Sequence, residues 1–337
     1  MSKHILIRIL AVGCFLTSNL KAEIKTLNFA DGDIVGYPLV IIKGTTDQGI
    51  EVTNRPSCIS HRGNEFRIIL DLVPGINRIV INNSLESKIL NIELKPPKNK
   101  KKFRACYFVP ENGDERYQTA DGTNEYKWKT KIQASLKMIQ SFIAEDIYKI
   151  GAGKRTIHFI SDSNLNPDVK LIKMPYSITE LQSMNQYDLY KAFCKCLIEQ
   201  HIYHKDLKFI AIPSFTRGTK GHISLGGSYL ASYSSIALQC WPDSTETIDD
   251  KAHNTSLLPE FMYEYKHRNN VSNQGGATIG ALMHEVGHCF GLKHDGSKLS
   301  IMRRGFEYFY SAFVFNNMNE PSFEEQRKIL ISSEWIY

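Results

Sequence analysis

The segment HEVGHCFGLKHDG, residues 284–296, constrains the fold of this chain more than any other stretch of its sequence. Apolar residues recur at helical spacing around its first half and predict one buried helix face: Ile279, Leu282, Met283, Val286 and Phe290. Gly291 follows, and glycine adopts positive φ at no steric cost. The segment therefore predicts a helix that stops near Gly291, where the chain turns sharply.

Three histidines of this segment have the spacing of metal ligands. His284 and His288 lie four residues apart, so their imidazoles project from the same side of the helix, one turn apart. At that separation two ring nitrogens can reach one zinc ion, Zn2+, at about 2.0–2.1 Å. The turn at Gly291 brings His294 back as a third ligand, which leaves one tetrahedral position for water. Glu285 points beside the ion, where it can hold this water and take its proton.

An amphipathic helix that happens to be rich in histidine is the alternative interpretation. The pattern H-E-x-x-H alone is expected by chance in roughly one chain of this length in fifty. The glycine and the third histidine at fixed spacing lower that expectation to about one chain in ten thousand or less. The complete pattern therefore favours the metal site.

HEVGHCFGLKH resembles H-E-x-x-H-x-x-G-x-x-H, the signature of metzincin zinc metallopeptidases. Met302, in LSIMRRG, matches the methionine that this family places in a tight turn under the metal. Asp295, directly after the third histidine, resembles the adamalysin branch, and we interpret it as a supporting carboxylate, with metal ligation as the alternative. Arg304 stands where astacins have a tyrosine, so an astacin-like fifth ligand is not expected.

The resemblance covers about residues 103–337, and the whole chain is similar to a group of predicted zinc metalloproteinases of fungi and other eukaryotes. It implies a zinc endopeptidase that acts on a protein or peptide substrate, with Glu285 as the general base. It also implies a twisted mixed sheet with an edge strand that pairs with the substrate, an active-site helix, a methionine turn and a C-terminal helix.

Residues 221–235, which are glycine-rich with polar and apolar residues interleaved, occupy the expected place of this edge strand. His222, Tyr229 and Tyr233 are interpreted as ordinary exposed strand residues, with substrate contact as the alternative. His201 and His204 are three residues apart with no third partner nearby, so we interpret them as surface residues.

Residues 23–94 have a different pattern from the rest of the chain. Five runs rich in Val and Ile are separated by Gly, Pro and Asn, as in EFRIILDLV and NRIVINN on either side of Pro74-Gly75. This pattern predicts an immunoglobulin-like β-sandwich domain. Residues 95–102, KPPKNKKK, are predicted to be a solvated linker, with a nucleic-acid patch as the alternative. No motif supports a nucleic-acid partner.

Residues 103–337 mix helical and strand patterns. Apolar residues in steps of three and four predict a long helix over residues 128–150, and TIHFIS and KFIAIP predict strands over residues 156–161 and 208–213. S-x-x-E capping signals predict helix starts at Ser177 and Ser322. The chain is therefore predicted to be α+β, with an all-β sandwich followed by a metzincin-like catalytic domain over residues 103–337.

The N-terminus has a basic start, an apolar run and a possible cleavage residue, so residues 1–22 are predicted to be a secretory signal peptide. The alternative is an apolar first strand of a cytoplasmic protein. The run is too short to span a bilayer, and no later segment could do so. Cys14 would leave with the signal peptide, and the six other cysteines permit disulfides without requiring them.

Two other functions compete with a general endopeptidase. One is an inactive peptidase scaffold that binds a partner through its β-sandwich, although retention of Glu285 beside three histidines disfavours it. The other is a glycoprotein-directed zinc peptidase. Cys58, in RPSCISHRG, is better explained as a structural thiol or a disulfide partner than as a latency switch. The sequence carries no signal for an oligomeric state.

Overall fold

The computed structural model describes residues 23–337, apart from residues 120, 122, 217–222 and 264. The strands in this part of the chain are β1 (Lys25–Thr26), β2 (Ile34–Val35), β3 (Leu39–Thr45), β4 (Glu51–Val52), β5 (Cys58–Arg62), β6 (Glu65–Asp71), β7 (Gly75–Asn82), β8 (Ser87–Leu94), β9 (Lys102–Val109), β10 (Tyr117–Gln118), β11 (Asn124–Glu125), β12 (Val169–Lys173), β13 (Leu207–Pro213), β14 (Ser224–Gly226) and β15 (Leu230–Tyr233). The α-helices are α1 (Trp128–Tyr148), α2 (Ile178–Ser183), α3 (Gln186–Glu199), α4 (Ile248–His253), α5 (Val271–Cys289) and α6 (Arg327–Ser332). The predicted signal peptide and His222 lie outside the described residues.

Strands β1 to β8 form two four-stranded sheets, in the orders β1-β3-β6-β5 and β2-β8-β7-β4. Val40 and Ile68 of the first sheet and Ile79 and Ile92 of the second are fully buried in one shared apolar core. The two sheets, called here the N-terminal sheet pair, thus face each other across that core. The five predicted Val- and Ile-rich runs correspond to β3, β4, β6, β7 and β8. The immunoglobulin-like class and the domain boundaries stay predictions.

A five-stranded sheet in the order β12-β9-β13-β15-β14 forms the centre of the remaining chain. The first four strands are parallel, and β14 pairs antiparallel with β15 at one edge. Side chains of β9 alternate between the two faces: Tyr107 stacks on Trp128 of α1, and Phe108 packs on Phe193 of α3. Helices therefore cover both faces of a mostly parallel sheet, so the architecture is mixed α/β where the sequence predicted α+β.

Residues 156–161 are largely buried, but they form no regular strand, so that prediction is wrong. Phe103 N donates to His158 O at 2.7 Å, and Ile160 N donates to Phe103 O at 2.8 Å, which makes one isolated parallel bridge. The rest of that edge of β9 pairs with β12 instead, from Val169 to Lys173. The sequence of β12, VKLIK, is too short and too rich in lysine to stand out as a strand.

The two predicted capping signals have different outcomes. Ser177 and Glu180 form the complete capping box of α2. Helix α2 ends at Ser183, and the side chain of Asn185 caps the start of α3. The single helical stretch that was predicted here is therefore two helices. Ser322 caps no helix, because it forms a β-bridge with Ser300. A short 3-10 helix begins two residues later, at Glu324, and leads directly into α6.

The N-terminal sheet pair packs on α1 through the outer face of its first sheet. Leu39, Ile41 and Ile69 share a core with Leu136 and Ile143 of α1, and all five are almost completely buried. Helix α1 in turn supports the five-stranded sheet. The two parts of the chain therefore share an apolar core.

Two polar contacts reinforce this packing. Lys137 Nζ of α1 donates to both carboxylate oxygens of Asp71 at 2.7 and 2.8 Å. Asn28 Nδ2 donates to Glu145 Oε2 of α1 at 2.7 Å. Asn28 and Glu145 are both buried and therefore lose hydrogen bonds to water when the chain folds. Their hydrogen bond to each other replaces part of that loss.

Arg67 of β6 joins the N-terminal sheet pair to the stretch between Ser311 and Glu320. Its side chain is 6% exposed, and its guanidinium donates to Ser311 O and pairs with Glu320. The same guanidinium lies 4.2 Å from the ring centroid of Phe315. Ser60 Oγ of β5 accepts a hydrogen bond from Phe315 N at 2.9 Å. The sheet pair thus holds a stretch that follows the predicted methionine turn.

No helix in the described part of the chain is long and apolar enough to cross a membrane. The six cysteines among the described residues are all buried and unpaired with one another. The compartment of the protein stays a prediction.

Replacement of Asp146 with alanine is expected to destabilise the fold strongly. Its carboxylate is 2% exposed, pairs with Arg327 at 2.8 and 2.9 Å and accepts Phe323 N–H at 3.0 Å. Removal of one partner of a buried ion pair costs about 3–5 kcal/mol. Asp168→Ala is the control, because Asp168 is 45% exposed and 3.9 Å from Arg104, and about 0–1 kcal/mol is expected there. Denaturant unfolding measures both, and equal losses would contradict the prediction.

Candidate metal centre

Helix α5 carries the histidine segment. Asn270 Oδ1 caps its first turn by accepting Asn273 N–H at 2.9 Å. Four residues of the predicted apolar face, Ile279, Leu282, Met283 and Val286, are buried in the core of the five-stranded sheet, and the fifth, Phe290, packs half-buried against it. The predicted helix and its buried face are confirmed.

The chain reverses after α5 at Gly291, whose φ is +78°. Gly291 N donates to His288 O at 2.9 Å, and Leu292 N donates to Gly287 O at 3.2 Å. These two bonds form a Schellman motif, which satisfies carbonyl groups at the helix end. The predicted stop and turn at Gly291 are therefore confirmed, and the turn directs the following residues back toward α5.

The three imidazoles of the segment converge on one point. One ring nitrogen of each of His284, His288 and His294 lies within 4.8 Å of those of the other two. The Nε2 atoms of His284 and His294 are 3.1 Å apart. Two nitrogens bound tetrahedrally to zinc would be about 3.3 Å apart. This donor set therefore fits a zinc ion.

Backbone carbonyls orient two of the rings. His284 Nδ1 lies 2.8 Å from Ile301 O, and His288 Nδ1 lies 2.9 Å from Leu292 O. A carbonyl oxygen only accepts, so Nδ1 carries the proton in both rings and Nε2 presents its lone pair to the shared point. Burial lowers the pKa of His284 to about 4, so this ring is neutral near pH 7, the state that binds a metal.

Glu285 lies beside the histidines and is 6% exposed. Ser224 Oγ of β14 donates to Glu285 Oε1 at 2.5 Å. Burial raises the pKa of Glu285 to about 7, although the Ser224 hydrogen bond opposes this rise. A dication held by the histidines would also oppose it. Burial therefore raises the proton affinity of this carboxylate, whereas the Ser224 hydrogen bond and a bound dication would lower it.

The edge strand β14 approaches α5 very closely at Gly226. A Cβ atom on Gly226 would lie 2.5 Å from Glu285 O, 2.9 Å from Glu285 Oε2 and 2.9 Å from His288 Cβ. Only glycine permits this approach. The prediction that residues 221–235 contain the edge strand is confirmed for β14. Tyr233 of the neighbouring strand is 3% exposed, and Tyr229 is half-buried in the turn between the two strands, so the interpretation of both as exposed strand residues is wrong.

Met302 packs beneath α5. It is fully buried, and a Cβ atom on Gly287 would lie 2.4 Å from Met302 Sδ. Ser300 Oγ accepts Met302 N–H at 3.2 Å. Ile301, directly before Met302, provides the carbonyl oxygen that binds His284 Nδ1. The segment around Met302 therefore supports the histidine helix from one side.

Asp295 lies outside the three-histidine group. Its Oδ2 atom accepts hydrogen bonds from Ser300 Oγ at 2.5 Å and from Gln326 Nε2 at 2.7 Å. Gln326 also donates to Lys293 O at 2.6 Å and accepts Lys293 N–H at 2.9 Å. This network ties the residues on both sides of His294 to the C-terminal part of the chain.

Lys208 of β13 links the edge hairpin to the end of α5. Its ammonium donates to Ser228 O at 2.5 Å and to Cys289 O at 2.6 Å. A positive charge at the C-terminus of a helix is favoured by the helix dipole.

Sequence reasoning missed Lys208, Ser224 and Gln326, because no motif spacing relates them to the histidines. The edge-strand prediction was the one available signal, and it covered Ser224.

His284, His294 and Glu285 line a cleft of about 420 Å³. Ala281 of α5 and Met302 contribute to its lining, together with Phe306, whose ring packs edge-on against His284 at a centroid distance of 5.7 Å. The cleft is therefore bounded by β14 on one side and by the segment after Met302 on the other.

Comparisons with known proteins agree with a peptidase. The family model of Metallopep, described as a putative peptidase family, matches residues 23–335. A putative zinc metalloproteinase of Schizosaccharomyces pombe is 21% identical over 279 residues, which cover 74% of this chain and 45% of that relative. This chain thus matches less than half the length of that curated relative.

Two kinds of solved structure are also similar. Wild-type OgpA from Akkermansia muciniphila has 14% identity and a TM-score of 0.48, over 72% of this chain and 63% of that one. Archaemetzincin from Methanopyrus kandleri has 11% identity and a TM-score of 0.34, over 71% of this chain and 97% of that one.

Replacement of Gly226 with alanine is expected to push β14 away from α5. The added Cβ would overlap Glu285 O, and overpacking of this kind costs about 1–3 kcal/mol. Gly49→Ala is the matched control, because a Cβ there meets nothing within 4 Å. Thermal unfolding compares the two variants. A Gly226→Ala protein as stable as Gly49→Ala would contradict the close approach.

Proposed function

Because the chain belongs to the Metallopep putative peptidase family, we propose that it is a zinc-dependent endopeptidase that hydrolyses peptide bonds. The observation that carries this proposal is the convergence of His284, His288 and His294 on one point beside the carboxylate of Glu285. The cleft and the edge strand next to this group supply room for a peptide.

The three histidines would hold the ion through ring nitrogens. When bound there, zinc polarises the substrate carbonyl and lowers the pKa of a bound water toward neutrality. The carbonyl groups of Ile301 and Leu292 keep His284 and His288 in the orientation that this requires. The metzincin assignment rests on the resemblance of HEVGHCFGLKH and Met302 to the family signature, and it is part of this proposal.

Glu285 would act as the general base. Its carboxylate takes a proton from the attacking water and then passes that proton to the leaving amine nitrogen. A pKa raised by burial suits both steps, because the group must accept and release a proton near the same pH. Ser224 Oγ holds Oε1 at 2.5 Å and so fixes the position of the carboxylate.

The substrate would bind as an extended peptide along β14. This strand is the outermost of the five-stranded sheet in the described part of the chain, and it runs across α5 next to Glu285. Addition of a strand to such an edge uses main-chain hydrogen bonds, which align the peptide without regard to its side chains. The predicted signal peptide supports a secreted protein, with a cytoplasmic one as the alternative.

Retention of Glu285 favours catalysis over an inactive scaffold, because a scaffold that only binds a partner has no need of a buried base. A partner-binding protein would instead be supported by tight binding of a protein ligand without cleavage.

Replacement of Glu285 with glutamine is expected to lower kcat by about 10²- to 10⁴-fold, because an amide cannot accept the proton of the water. Wild type and variant are incubated with a diverse peptide library, and new termini are identified by mass spectrometry. Glu51→Gln is the control, since Glu51 is exposed on β4 far along the chain from the cleft. A Glu285→Gln protein as active as wild type would exclude Glu285 as the base.

Replacement of His288 with alanine is expected to abolish tight zinc binding, because two imidazoles complete only half of a tetrahedral site. The metal content per chain is measured after dialysis against a weak chelator, with one zinc expected in wild type. His204→Ala is the matched control, because His204 is 60% exposed and is not part of the three-histidine group. Equal zinc content in the two variants would refute the ligand assignment.

A further inference from the structure

The third histidine of the metal centre has less support of its own than the other two. His284 and His288 belong to α5, and a backbone carbonyl oxygen binds the Nδ1 atom of each ring. His294 is exposed and lies in a stretch with no helix or strand. Its Nδ1 atom has no hydrogen-bond partner among the described residues. The position of His294 therefore depends on how the backbone around it is held.

The side chain of Gln326 binds both chain neighbours of His294. Lys293 N donates to Gln326 Oε1 at 2.9 Å, and Gln326 Nε2 donates to Lys293 O at 2.6 Å. The same Nε2 atom donates to Asp295 Oδ2 at 2.7 Å. These three hydrogen bonds are called here the Gln326 clamp. Through them, one amide group fixes the chain on either side of the third histidine.

The chemistry of the clamp requires an amide. Lys293 N–H needs an acceptor, whereas Lys293 O and the Asp295 carboxylate need donors. A side-chain amide presents an oxygen that accepts and a nitrogen that donates two hydrogens, but a carboxylate only accepts. Asp295 is also bound by Ser300 Oγ and, through Oδ1, by Ser297 N at 3.2 Å. Its carboxylate is therefore engaged with the protein and supports the clamp.

Burial gives the Gln326 side chain one favoured arrangement. The residue is 9% exposed, so water has little access to its amide. A buried amide that left Lys293 and Asp295 would lose its hydrogen bonds without replacement by water. The clamp therefore resists rotation of the side chain, and the backbone that it binds is held with it.

Helix α1 fixes the position of Gln326 in turn. Gln326 ends the 3-10 helix Glu324–Gln326, and the buried carboxylate of Asp146 binds the chain on both sides of it. Asp146 Oδ2 accepts Phe323 N–H at 3.0 Å, and Arg327 pairs with the same carboxylate at 2.8 and 2.9 Å. A continuous set of polar contacts thus links α1 to His294.

The same C-terminal stretch also supports His284. Ile301 N donates to Ser322 O at 2.8 Å, and Ser322 N donates to Leu299 O at 3.1 Å. Ile301 O is the oxygen that binds His284 Nδ1. Residues 322–327 therefore hold the supports of two of the three histidines, and Gln326 is the member that acts on the exposed one.

We propose that Gln326 is a positioning residue of the metal centre: the Gln326 clamp holds His294 where its ring completes the donor set, and it thereby sets the zinc affinity of the site. This inference rests on the proposed zinc-dependent function. Loss of a group that orients a metal ligand typically weakens metal binding by about 10- to 100-fold.

Replacement of Gln326 with methionine tests the clamp, because methionine has a similar length but cannot make these hydrogen bonds. The zinc Kd of the full-length protein, measured by competition with a chelator, is expected to rise by about 10- to 100-fold. Gln140→Met is the matched control, since Gln140 is 3% exposed and donates to Ile157 O at 2.9 Å, outside the histidine segment. Its zinc Kd is expected to match wild type. An unchanged Kd in Gln326→Met would overturn the proposal.

The visible spectrum of the cobalt-loaded protein separates positioning from a general loss of stability. The absorption bands of Co2+ depend on the number and arrangement of its ligands. Gln326→Met is expected to change these bands, and Gln140→Met is expected to keep them, even if thermal unfolding shows equal losses of stability in the two metal-free variants. Identical spectra for wild type and Gln326→Met would contradict a positioning role.

Two further measurements apply if Gln326→Met does not fold. Gln326→Glu keeps the acceptor for Lys293 N–H but removes both donors and faces Asp295 with a like charge, so its zinc Kd is also expected to rise. In metal-free wild type, the Lys293 amide is expected to exchange its hydrogen on the order of 10-fold more slowly, relative to its intrinsic rate, than the His294 amide. Equally fast exchange of both amides would refute the clamp.

The outcomes distinguish this inference from the proposed function. If wild type and Gln326→Met bind zinc equally, the role of Gln326 fails while the zinc site stands. If zinc binding weakens in the variant but wild type cuts no peptide of the library, the endopeptidase function fails while the role of Gln326 stands. If wild type binds no zinc, both fail.

Discussion

The reversal of the chain at Gly291 is the constraint on which the metal centre depends. A positive φ there ends α5 with a Schellman motif and sends the next residues back over the last helical turn. The same turn places the Leu292 carbonyl against His288 Nδ1 and brings His294 within reach of His284. A residue with a Cβ at position 291 would strain this conformation. The glycine that permits the turn therefore also permits the three histidines to converge.

Close packing around α5 then holds the turn and the carboxylate in place. β14 reaches Glu285 only because residue 226 is glycine, and Met302 reaches the opposite side only because residue 287 is glycine. Lys208 joins the edge hairpin to the helix end through two carbonyl groups. Rigid elements thus position each group of the site, which is what a site for proton transfer requires.

The N-terminal sheet pair is part of this support as well as a unit with its own core. It shares apolar side chains with α1, and through Arg67 and Ser60 it holds the stretch that includes Phe315. Residues next to Phe315 in that stretch line a cavity of about 470 Å³ beside the first half of α5. An apolar core and polar contacts therefore join the sheet pair to the rest of the chain.

Local features of this protein follow from its sequence alone, because periodicity, capping and glycine conformations act over a few residues. The sequence predicted α1, the histidine face of α5, the stop at Gly291 and five of the eight strands of the N-terminal sheet pair. Three other features were visible only in the folded chain: β12 completes the sheet, Ser224 binds Glu285, and Gln326 binds Asp295. These contacts join residues that are far apart in the chain, and their partners depend on how whole elements pack, which no local spacing encodes.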